Sequence, residues 1–334
     1  MASSIRVLVC VCIGLLAPLS LLVDAVPARA QDRSPSAAPA APATTADTDT
    51  GAKGEEALKK AMARLRSSSA ADRASAADEM GRRGYRFRKQ ISDALRPLLL
   101  ADGESVVRAA AGRALGRLGA REAVPELIKA LSDPAVEVRV VSAAALWRLP
   151  DVSAVPALLD RVQDDDRAVR EWTALALGVA ADARAVPALV GLLADSERPV
   201  RLAAVRSLGR INRPEGLKPL VRYLSSAKRD EEEKEEVVNS IASIEGTGRS
   251  SALLDLLAAP GIDSTQKVRV AIALGKVGDT QSLPALRKLS TQRDESKSVR
   301  EAATKAIPAV LLRAKNSVDA GTGDAPKPAE AARP

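Results

Sequence analysis

The sequence predicts an all-α protein, an α-solenoid of about seven stacked helix pairs wound into a right-handed superhelix. Three observations predict it. A motif that begins "VRAAAGRALG" at Val107 returns every 31 to 33 residues along most of the chain. Its apolar residues follow the spacing of one helix face, and no segment shows the alternation of a half-buried strand. Aromatic residues make up only 1% of the chain, so the core must be alanine and leucine, which lets helices approach closely.

The first 30 residues predict a secretory signal peptide. A short basic start, "MASSIR", precedes an apolar run from Val7 to Val23, and Ala28-Arg29-Ala30 has the A-x-A pattern of a cleavage site. The alternative is an uncleaved membrane anchor, but the run has 17 residues and contains Pro18, whereas a span needs roughly 20 apolar residues. We therefore expect cleavage near Ala30, no transmembrane segment after it, and a periplasmic or secreted bacterial protein.

Cysteine and histidine usage suits export. Cys10 and Cys12 are the only cysteines, both lie in the apolar run, and the chain has no histidine. A mature chain without cysteine needs no disulfide in an oxidising compartment. Cleavage also removes Arg6, Arg29 and Asp24, which leaves 48 basic and 41 acidic residues and changes the net charge from +8 to +7. That surplus is mild for a chain so rich in both signs.

Two low-complexity segments flank the repeats. Residues 31–54, "QDRSPSAAPAAPATTADTDTGAKG", are rich in proline, alanine, threonine and aspartate without apolar periodicity, which predicts a disordered linker. The tail, residues 316–334, has the same character. The repeat solenoid is therefore expected to occupy residues 55–315.

The repeat recurs in register. Its units start at Val107, Val138, Val169, Val200, Glu233, Gln266 and Val299. An apolar residue stands at the ninth position of each unit, as Leu115, Leu146, Leu177, Leu208, Ile241, Leu274 and Ile307. Glycine follows it at Gly116, Gly178, Gly209 and Gly275, and proline opens the second half at Pro125, Pro156, Pro187 and Pro284. A weaker copy precedes them from Asp72.

Each unit is predicted to be two helices. In the opening unit, the apolar residues between Val107 and Leu118 follow three- and four-residue spacing, as on one stripe of a helix. Gly119 comes where a left-handed residue closes a helix. Pro125 suits the first turn of the second helix, because its missing N–H would have no partner there. Leu127 and Leu131 then supply the buried face of that helix.

"VRAAAGRALGRLGAREAVPELIKALSD" resembles the short HEAT-like repeat of the phycobilin-lyase (PBS-lyase) type. The resemblance covers residues 72–314 and is specific because the pattern recurs in register. It implies a solenoid that acts as a scaffold or adaptor and binds another protein or peptide. The alternative that it leaves open is a HEAT-family enzyme or enzyme subunit. Phycobilin lyase subunits share the repeat, but bilin attachment also requires a phycobiliprotein acceptor, at which nothing in this chain hints. In deoxyhypusine hydroxylase the metal is held by His-Glu motifs, which this chain lacks.

An aspartate and an arginine six residues apart recur at the unit junctions. The pairs are Asp102/Arg108, Asp133/Arg139, Asp164/Arg170, Asp195/Arg201 and Asp294/Arg300. The resemblance implies that they form a structural ladder between neighbouring units, because HEAT repeats carry such residues. The alternative is an acid–base pair or ion site, but several copies of one active site in a single chain are implausible. The fifth and sixth units depart from the pattern, with Lys228 and Lys234, and with Gly261 and Lys267.

Catalytic chemistry has little support. Without histidine, the Ser-His-Asp and Cys-His nucleophile sets and the His/Cys zinc sites are ruled out. The acidic run from Asp164 to Asp166 offers oxygen ligands to a hard cation, but a solvated turn before a helix explains it better. We therefore predict no catalytic residue, no cofactor and no metal.

Candidate contact residues come from three places. Trp147 and Trp172, in adjacent units, are candidate hot spots, and the alternative is that both fill volume between first helices. Tyr85 and Phe87 lie among basic residues in "GYRFRKQ", which is either a contact for an acidic partner or membrane surface or a solvated loop. One register of the second helices is the third candidate, as Lys129, Asp160, Gly191, Arg222, Asp255 and Lys288. Its charges alternate in sign, so it predicts no nucleic-acid track.

Overall fold

The computed structural model describes residues 47–83, 85–225, 230–246 and 248–321, and in these it contains sixteen α-helices and no strand. The predicted signal peptide, residues 31–46 of the predicted linker and residues 322–334 of the predicted tail lie outside the described residues. The helices are α1 (Asp47–Arg64), α2 (Ala70–Arg83), α3 (Arg88–Ala101), α4 (Ser105–Leu118), α5 (Val124–Ala130), α6 (Val136–Arg148), α7 (Val155–Leu159), α8 (Arg167–Ala180), α9 (Val186–Leu192), α10 (Arg198–Ile211), α11 (Leu217–Ser225), α12 (Glu231–Ser243), α13 (Arg249–Leu257), α14 (Ser264–Val277), α15 (Leu283–Thr291) and α16 (Lys297–Gly321).

Helices α2 to α15 form seven consecutive pairs, which confirms the predicted α-solenoid. The first helices of the pairs (α2, α4, α6, α8, α10, α12 and α14) pack on one another in chain order, and α16 continues that series. Six pairs come from the predicted units and one from the weaker copy at Asp72. The unit that starts at Val299 contributes α16, without a second helix in the described residues. The right-handed winding stays a prediction.

Helix extends beyond the predicted limits of the repeats at both ends. Helix α1 begins at Asp47, inside the segment predicted as linker, and α16 reaches Gly321, inside the predicted tail. Helix α16 also contains Pro308. It packs against α14 and α15, and this packing stabilises a helix whose sequence is a weak helix signal on its own.

Local signals set the helix ends. Gly119 ends α4 with φ 68°, in the left-handed conformation that the sequence predicts. Ala181 and Asn212 occupy the same place after α8 and α10, with φ 55° and 58°. A short 3-10 turn leads into the second helix of most units, and proline then stands in the first turn of α5, α7, α9 and α15.

The ninth-position residues form the centre of the core. Leu115, Leu177, Ile241 and Leu274 have no exposed surface, and Leu146 has only 2%. Small residues surround them, so the first helices approach very closely. A Cβ atom placed on Gly116 of α4 would lie 2.8 Å from the Cβ of Ala145 on α6.

The same close contact recurs along the stack. The glycines and the small residues against which they lie are Gly81 and Ala114, Gly116 and Ala145, Gly178 and Ser207, Gly209 and Ser240, and Gly275 and Ala306. Helix α6 is an exception, because Trp147 stands in this position. Helix α12 has Ala242 there.

Candidate functional site

The two tryptophans meet between α6 and α8. The ring centroids of Trp147 and Trp172 are 5.6 Å apart with an interplanar angle of 60°, an edge-to-face arrangement. Both side chains are partly buried and pack against the core. The structure therefore joins two of the predicted contact residues into one feature and leaves part of each ring accessible.

An apolar strip surrounds this tryptophan pair. Val140, Ala144 and Trp147 follow one another at helical spacing on α6, and Trp172, Leu175 and Val179 do so on α8. All six side chains are partly exposed, whereas the residues between them, such as Ser142 and Leu177, are buried. We call these six residues the tryptophan patch.

The patch interrupts a charged surface. One position of the first helices, read once per repeat, carries Arg113, Ala144, Leu175 and Arg206. Arg113 pairs with Asp78 at 3.1 Å on one side, and Arg206 pairs with Glu236 at 3.3 Å on the other. The apolar surface of α6 and α8 is thus bordered by ion pairs on α4 and α10, an apolar centre within a polar rim.

Two polar groups lie beside the patch. The guanidinium of Arg148 lies 5.6 Å from the ring centroid of Trp147, in a cation–π contact. Trp147 Nε1 is buried and has no hydrogen-bond acceptor among the described residues. Sequence reasoning named the two rings but missed Val140, Leu175 and the other aliphatic members. Reading the register of Arg113 along the repeats would have found Ala144 and Leu175.

Glu171 lies on α8 next to Trp172 in sequence, on the side of the helix that faces α10. Burial raises the pKa of its carboxyl above the ordinary value, and the charges of Arg167 and Arg206 act in the opposite direction. Sequence reasoning missed this residue, since its burial depends on the packing of α8 against α10.

Arginines of the first helices link neighbouring units. Arg108 donates two hydrogen bonds to the carboxylate of Asp133, at 2.7 and 2.8 Å. Its Nη1 also donates to the backbone oxygen of Asp102 at 2.9 Å. Within each six-residue pair, the arginine therefore donates to the backbone carbonyl of the aspartate. The aspartate carboxylate accepts its hydrogen bonds from the arginine of the preceding unit. The analogous bridges are Arg73 to Asp102, Arg139 to Asp164 and Arg170 to Asp195.

The ladder continues toward the C-terminus with other residues. Arg201 pairs with Glu233 at 3.0 Å and Lys234 with Asp263 at 2.9 Å, and Lys267 pairs with Glu295. Arg201 keeps its contact to the backbone of Asp195 at 3.0 Å. Sequence reasoning missed these carboxylates because the unit length changes from 31 to 33 residues here.

The predicted pair Asp294/Arg300 departs from this arrangement. Asp294 is exposed, and its recorded hydrogen bond comes from the side chain of Gln292 at 3.1 Å. Arg300 donates to the backbone oxygens of Glu295 and Arg293, and not to that of Asp294. The reason is a shift of one residue, since Glu295 occupies the carboxylate position that the spacing assigned to Asp294.

Four ladder aspartates, Asp102, Asp133, Asp164 and Asp195, have pKa values below the ordinary one, which favours their ionised form. The hydrogen bond from Arg73 lowers the pKa of Asp102 below its ordinary value. For Asp164, burial would raise the pKa, but hydrogen bonds from Arg139 and from the backbone N–H of Asp166 outweigh it, and the pKa is lowered. A carboxylate that stays ionised and fully paired does not exchange protons near neutral pH. These pairs therefore stabilise the stack and are poorly suited to acid–base chemistry.

The other predicted contacts lie apart from the patch. Lys129, Asp160, Gly191, Arg222 and Lys288 are exposed on or just after the second helices. They remain candidate contacts. Phe87 is partly buried and packs against the core, and the side chain of Tyr85 lies outside the described part of the chain.

A shallow groove of about 650 Å³ lies between the loop after α7 and helix α9. Asp164, Asp165 and Asp195 contribute carboxylates to it, and Gly191 leaves it open. Asp164 and Asp195 are already paired with arginines. Among the described residues, no cluster of three or more acidic, cysteine or histidine side chains is arranged to hold a metal ion. No helix in those residues is both long enough and apolar enough to cross a membrane.

Comparison with known proteins agrees with the repeat architecture. The chain matches the family described as HEAT repeats at residues 56–134, 124–201 and 191–266. Residues 267–292 match the family described as PBS lyase HEAT-like repeat. No curated protein matches the chain.

Two solved structures show the same fold. An engineered protein is 23% identical, with a TM-score of 0.51, over 76% of this chain and 78% of that one. The Escherichia coli protein YibA is 20% identical, also with a TM-score of 0.51, over 84% of this chain and 99% of YibA. The complex of CpcE and CpcF of phycocyanin lyase from Nostoc is 23% identical, with a TM-score of 0.44, over 84% of this chain and 100% of that chain.

Proposed function

The chain belongs to the HEAT-repeat family, and from this premise we propose that it is an exported scaffold or adaptor that binds another protein or peptide through the tryptophan patch, without catalytic activity of its own. The observation that carries the proposal is the patch itself, an apolar surface with two tryptophans in the middle of a charged series of helices. Tryptophan is among the residues most enriched at the centres of protein interfaces. Exposed apolar surface with a polar rim is typical of an interaction site.

The composition supports binding over catalysis. The chain has no histidine, and its two cysteines lie at positions 10 and 12, within the predicted signal peptide. The ladder arginines and carboxylates occupy each other and hold the units together. The partner is expected to be a protein or extended peptide, because stacked repeats present long surfaces that several units contribute to.

Export rests on the N-terminal sequence. A basic start, an apolar run and an A-x-A site predict a mature chain that begins at Gln31. Mass spectrometry of protein recovered from the producing cell tests this. An intact Met1 or Ala2 terminus on a soluble cytosolic species would contradict export and leave the binding proposal standing.

The binding proposal is tested with one substitution and a matched control. Leu175→Arg puts a charge into the centre of the patch, where α4 and α10 already carry arginine at the same register, so the helix tolerates the residue. Asn239→Arg makes the same change at the same register of α12, outside the patch, where Asn239 is exposed. Partners cross-linked to the wild-type chain in its own cells are identified by mass spectrometry. We expect Leu175→Arg to lose them and Asn239→Arg to keep them, and retention by both variants would refute the patch.

A second candidate is a subunit of a lyase-like enzyme. The match of residues 267–292 to the PBS lyase HEAT-like repeat favours it. The test is direct: the chain is mixed with a bilin and a phycobiliprotein acceptor, and covalent attachment is followed by absorbance after denaturation. Transfer above the rate without the chain would establish catalysis and replace the scaffold proposal.

A further inference from the structure

A strongly basic turn joins α2 to α3 at the start of the array. Arg82, Arg86, Arg88 and Lys89 are all exposed there. From Met80 to Ser92 the sequence "MGRRGYRFRKQIS" contains no acidic residue. Five arginines and lysines fall within the eight residues from Arg82 to Lys89.

Three of the six corresponding turns in later units carry an acidic residue that this turn lacks. Asp151, Asp182 and Asp279 each accept a hydrogen bond from the backbone N–H two residues on, at 2.8, 2.8 and 3.0 Å. An acidic residue at this place satisfies an N–H and complements the positive end of the following helix. The α2–α3 turn has no such acid, and Phe87 precedes α3 without a side-chain cap.

Helix α3 begins with two consecutive cations, Arg88 and Lys89, whereas α8, α10, α13 and α16 each begin with one. Cations in the first turn of a helix are repelled by its dipole, so these residues work against the stability of their own helix. Local sequence that opposes the local fold is expected where a function requires it. The basic turn is therefore a feature that the stack itself does not need.

Neighbouring side chains leave this charge unbalanced. Arg121, in the 3-10 turn that packs against α3, adds a further exposed cation. Of the nearby acids, Asp78 pairs with Arg113, Glu79 with Arg64 and Asp93 with Arg96. Glu122 is an exposed carboxylate at the edge of the cluster, and Asp151 lies close enough to Arg121 for that cation to help lower its pKa, after the hydrogen bonds from Ser153. Among the described residues, the five cations have no ion-pair partner; they are Arg82, Arg86, Arg88, Lys89 and Arg121.

From this we infer that the basic turn, formed by these five residues, binds an acidic segment of a partner protein. The site is separate from the tryptophan patch and adds a second, electrostatic contact. Charge complementarity at such a surface speeds association and selects the partner.

The extent of the cluster favours a protein segment over the other polyanions. Its positive charge is confined to two neighbouring turns and is bordered by Asp78, Asp93 and Glu122, so it is too short for the phosphate track of a nucleic-acid duplex. Phe87 packs inward against the core and offers no apolar side chain to a bilayer. A short run of carboxylates matches this footprint.

The test uses the full chain and a fluorescent oligoglutamate peptide of about eight residues, with binding followed by anisotropy at about 50 and about 200 mM salt. Arg86→Glu/Arg88→Glu reverses two charges of the basic turn. Arg210→Glu/Arg287→Glu is the matched control, since both arginines are exposed and lie away from the basic turn, on α10 and α15. We expect the first double variant to bind about tenfold more weakly and the control to change by less than about twofold.

Three results would overturn the inference. One is equal weakening by both double variants, because the effect would then be the general charge of the chain. The second is tighter binding to vesicles of anionic phospholipid than to the peptide. The third is tighter binding to a DNA oligonucleotide than to the peptide. Melting of each variant is measured in parallel. The comparison requires that Arg86→Glu/Arg88→Glu melts at the same temperature as the wild type. If the charge reversal lowers that temperature, Arg86→Gln/Arg88→Gln is used in its place.

Discussion

Helix α8 makes two different contacts with its neighbouring first helices. Toward α10, Gly178 lies directly against Ser207, and a Cβ atom on Gly178 would be 2.9 Å from the Cα of that serine. Toward α6, Trp172 meets Trp147 with ring centroids 5.6 Å apart. The same repeat thus closes one side with backbone and small atoms and fills the other side with two indole rings.

The difference shows how a repeat can gain a binding surface without losing its fold. Both contacts keep the same bridge at their other edge, Arg139 to Asp164 and Arg170 to Asp195, each with Nε to Oδ2 distances of 2.8–2.9 Å. The ladder therefore sets the register of the units. The residue that follows the apolar ninth position, Gly178 in α8 and Trp147 in α6, can then differ from unit to unit. At one contact this position provides close packing, and at the other it provides exposed aromatic surface.

The largest expected effect comes from filling the closed contact. Gly178→Leu places a side chain where Ser207 lies and also disturbs the hydrogen bond from Ser207 Oγ to the backbone oxygen of Ala174, 2.8 Å long. Overpacking against backbone should lower the free energy of unfolding by about 3 kcal/mol. Gly191→Leu is the control, because nothing lies within 4 Å of a Cβ atom there. Urea unfolding of both variants measures the difference in unfolding free energy. Similar losses in the two variants would mean that the effect comes from replacing glycine in a helix and not from the close contact with Ser207.

The fold could be predicted almost entirely from the sequence, because each of its signals is local and repeated. The register of the apolar ninth position, Gly119 and the prolines such as Pro125 fix two helices per unit, and repetition turns a weak signal into a strong one. The full extent of α16 could not be predicted, because the helix continues past Pro308 and reaches Gly321 in a segment whose composition predicts a disordered tail.

The second prediction asks whether the ladder holds both contacts equally. Arg139→Met and Arg170→Met each remove the bridging arginine of a carboxylate that is at most 8% exposed; these are Asp164, which keeps Arg161 at 3.8 Å, and Asp195. Each should cost about 2 kcal/mol of unfolding free energy. We expect the two losses to agree within about 0.5 kcal/mol. A clearly larger loss for Arg139→Met would show that the tryptophan contact is the weaker one and relies on its bridge.

Acid unfolding offers an independent measure of the same bridges. Lowered carboxylate pKa values in the folded chain add stability that is present above the unfolded value, about 3.9 for aspartate. That stability is lost as the pH falls through the folded pKa. The Arg139→Met chain, which has lost one bridge, should therefore show a shallower loss of stability below about pH 4 than the wild type.

The candidate site could be predicted only in part. Tryptophan is rare in this chain, so Trp147 and Trp172 were visible at once, but their contact depends on the offset between α6 and α8. The aliphatic members, such as Leu175, look like ordinary helix residues until they are compared with Arg113 and Arg206 at the same register. The ladder positions of Glu233 and Glu295 were hidden by the change in unit length.

The third prediction converts the open contact toward the closed type. Trp147→Gly restores the residue that the other units carry and removes a ring that is partly buried. Loss of ring packing should cost about 2 kcal/mol of stability, less than the roughly 3–5 kcal/mol of a fully buried tryptophan, because part of the ring is exposed and Nε1 lacks a partner. Trp172→Ala is the companion variant. Near-additive losses in the double variant would contradict the ring contact, since residues that touch should couple.

The smallest expected effect has the opposite sign and belongs to Glu171, on the α10 side of α8. Burial raises the pKa of its carboxyl in the folded chain, so the folded state binds this proton more tightly than the unfolded one. The favourable contribution of the protonated form is complete below the unfolded value, about 4.3, and is lost as the pH rises through the folded pKa. Glu171→Gln should therefore stabilise the chain at neutral pH, by less than about 1 kcal/mol after screening by solvent.

The gain from Glu171→Gln should vanish below about pH 4, where glutamate itself is protonated. Glu215→Gln, an exposed carboxylate on the turn before α11, is the control and should change stability little at either pH. Thermal melting of the three chains at both pH values provides the measurement. A gain that persists at low pH would mean that the glutamine amide improves packing between α8 and α10. In that case the packing of the Glu171 side chain would lower the stability of the contact between α8 and α10. The charge of Glu171 would then not contribute to the difference between the two sides of α8.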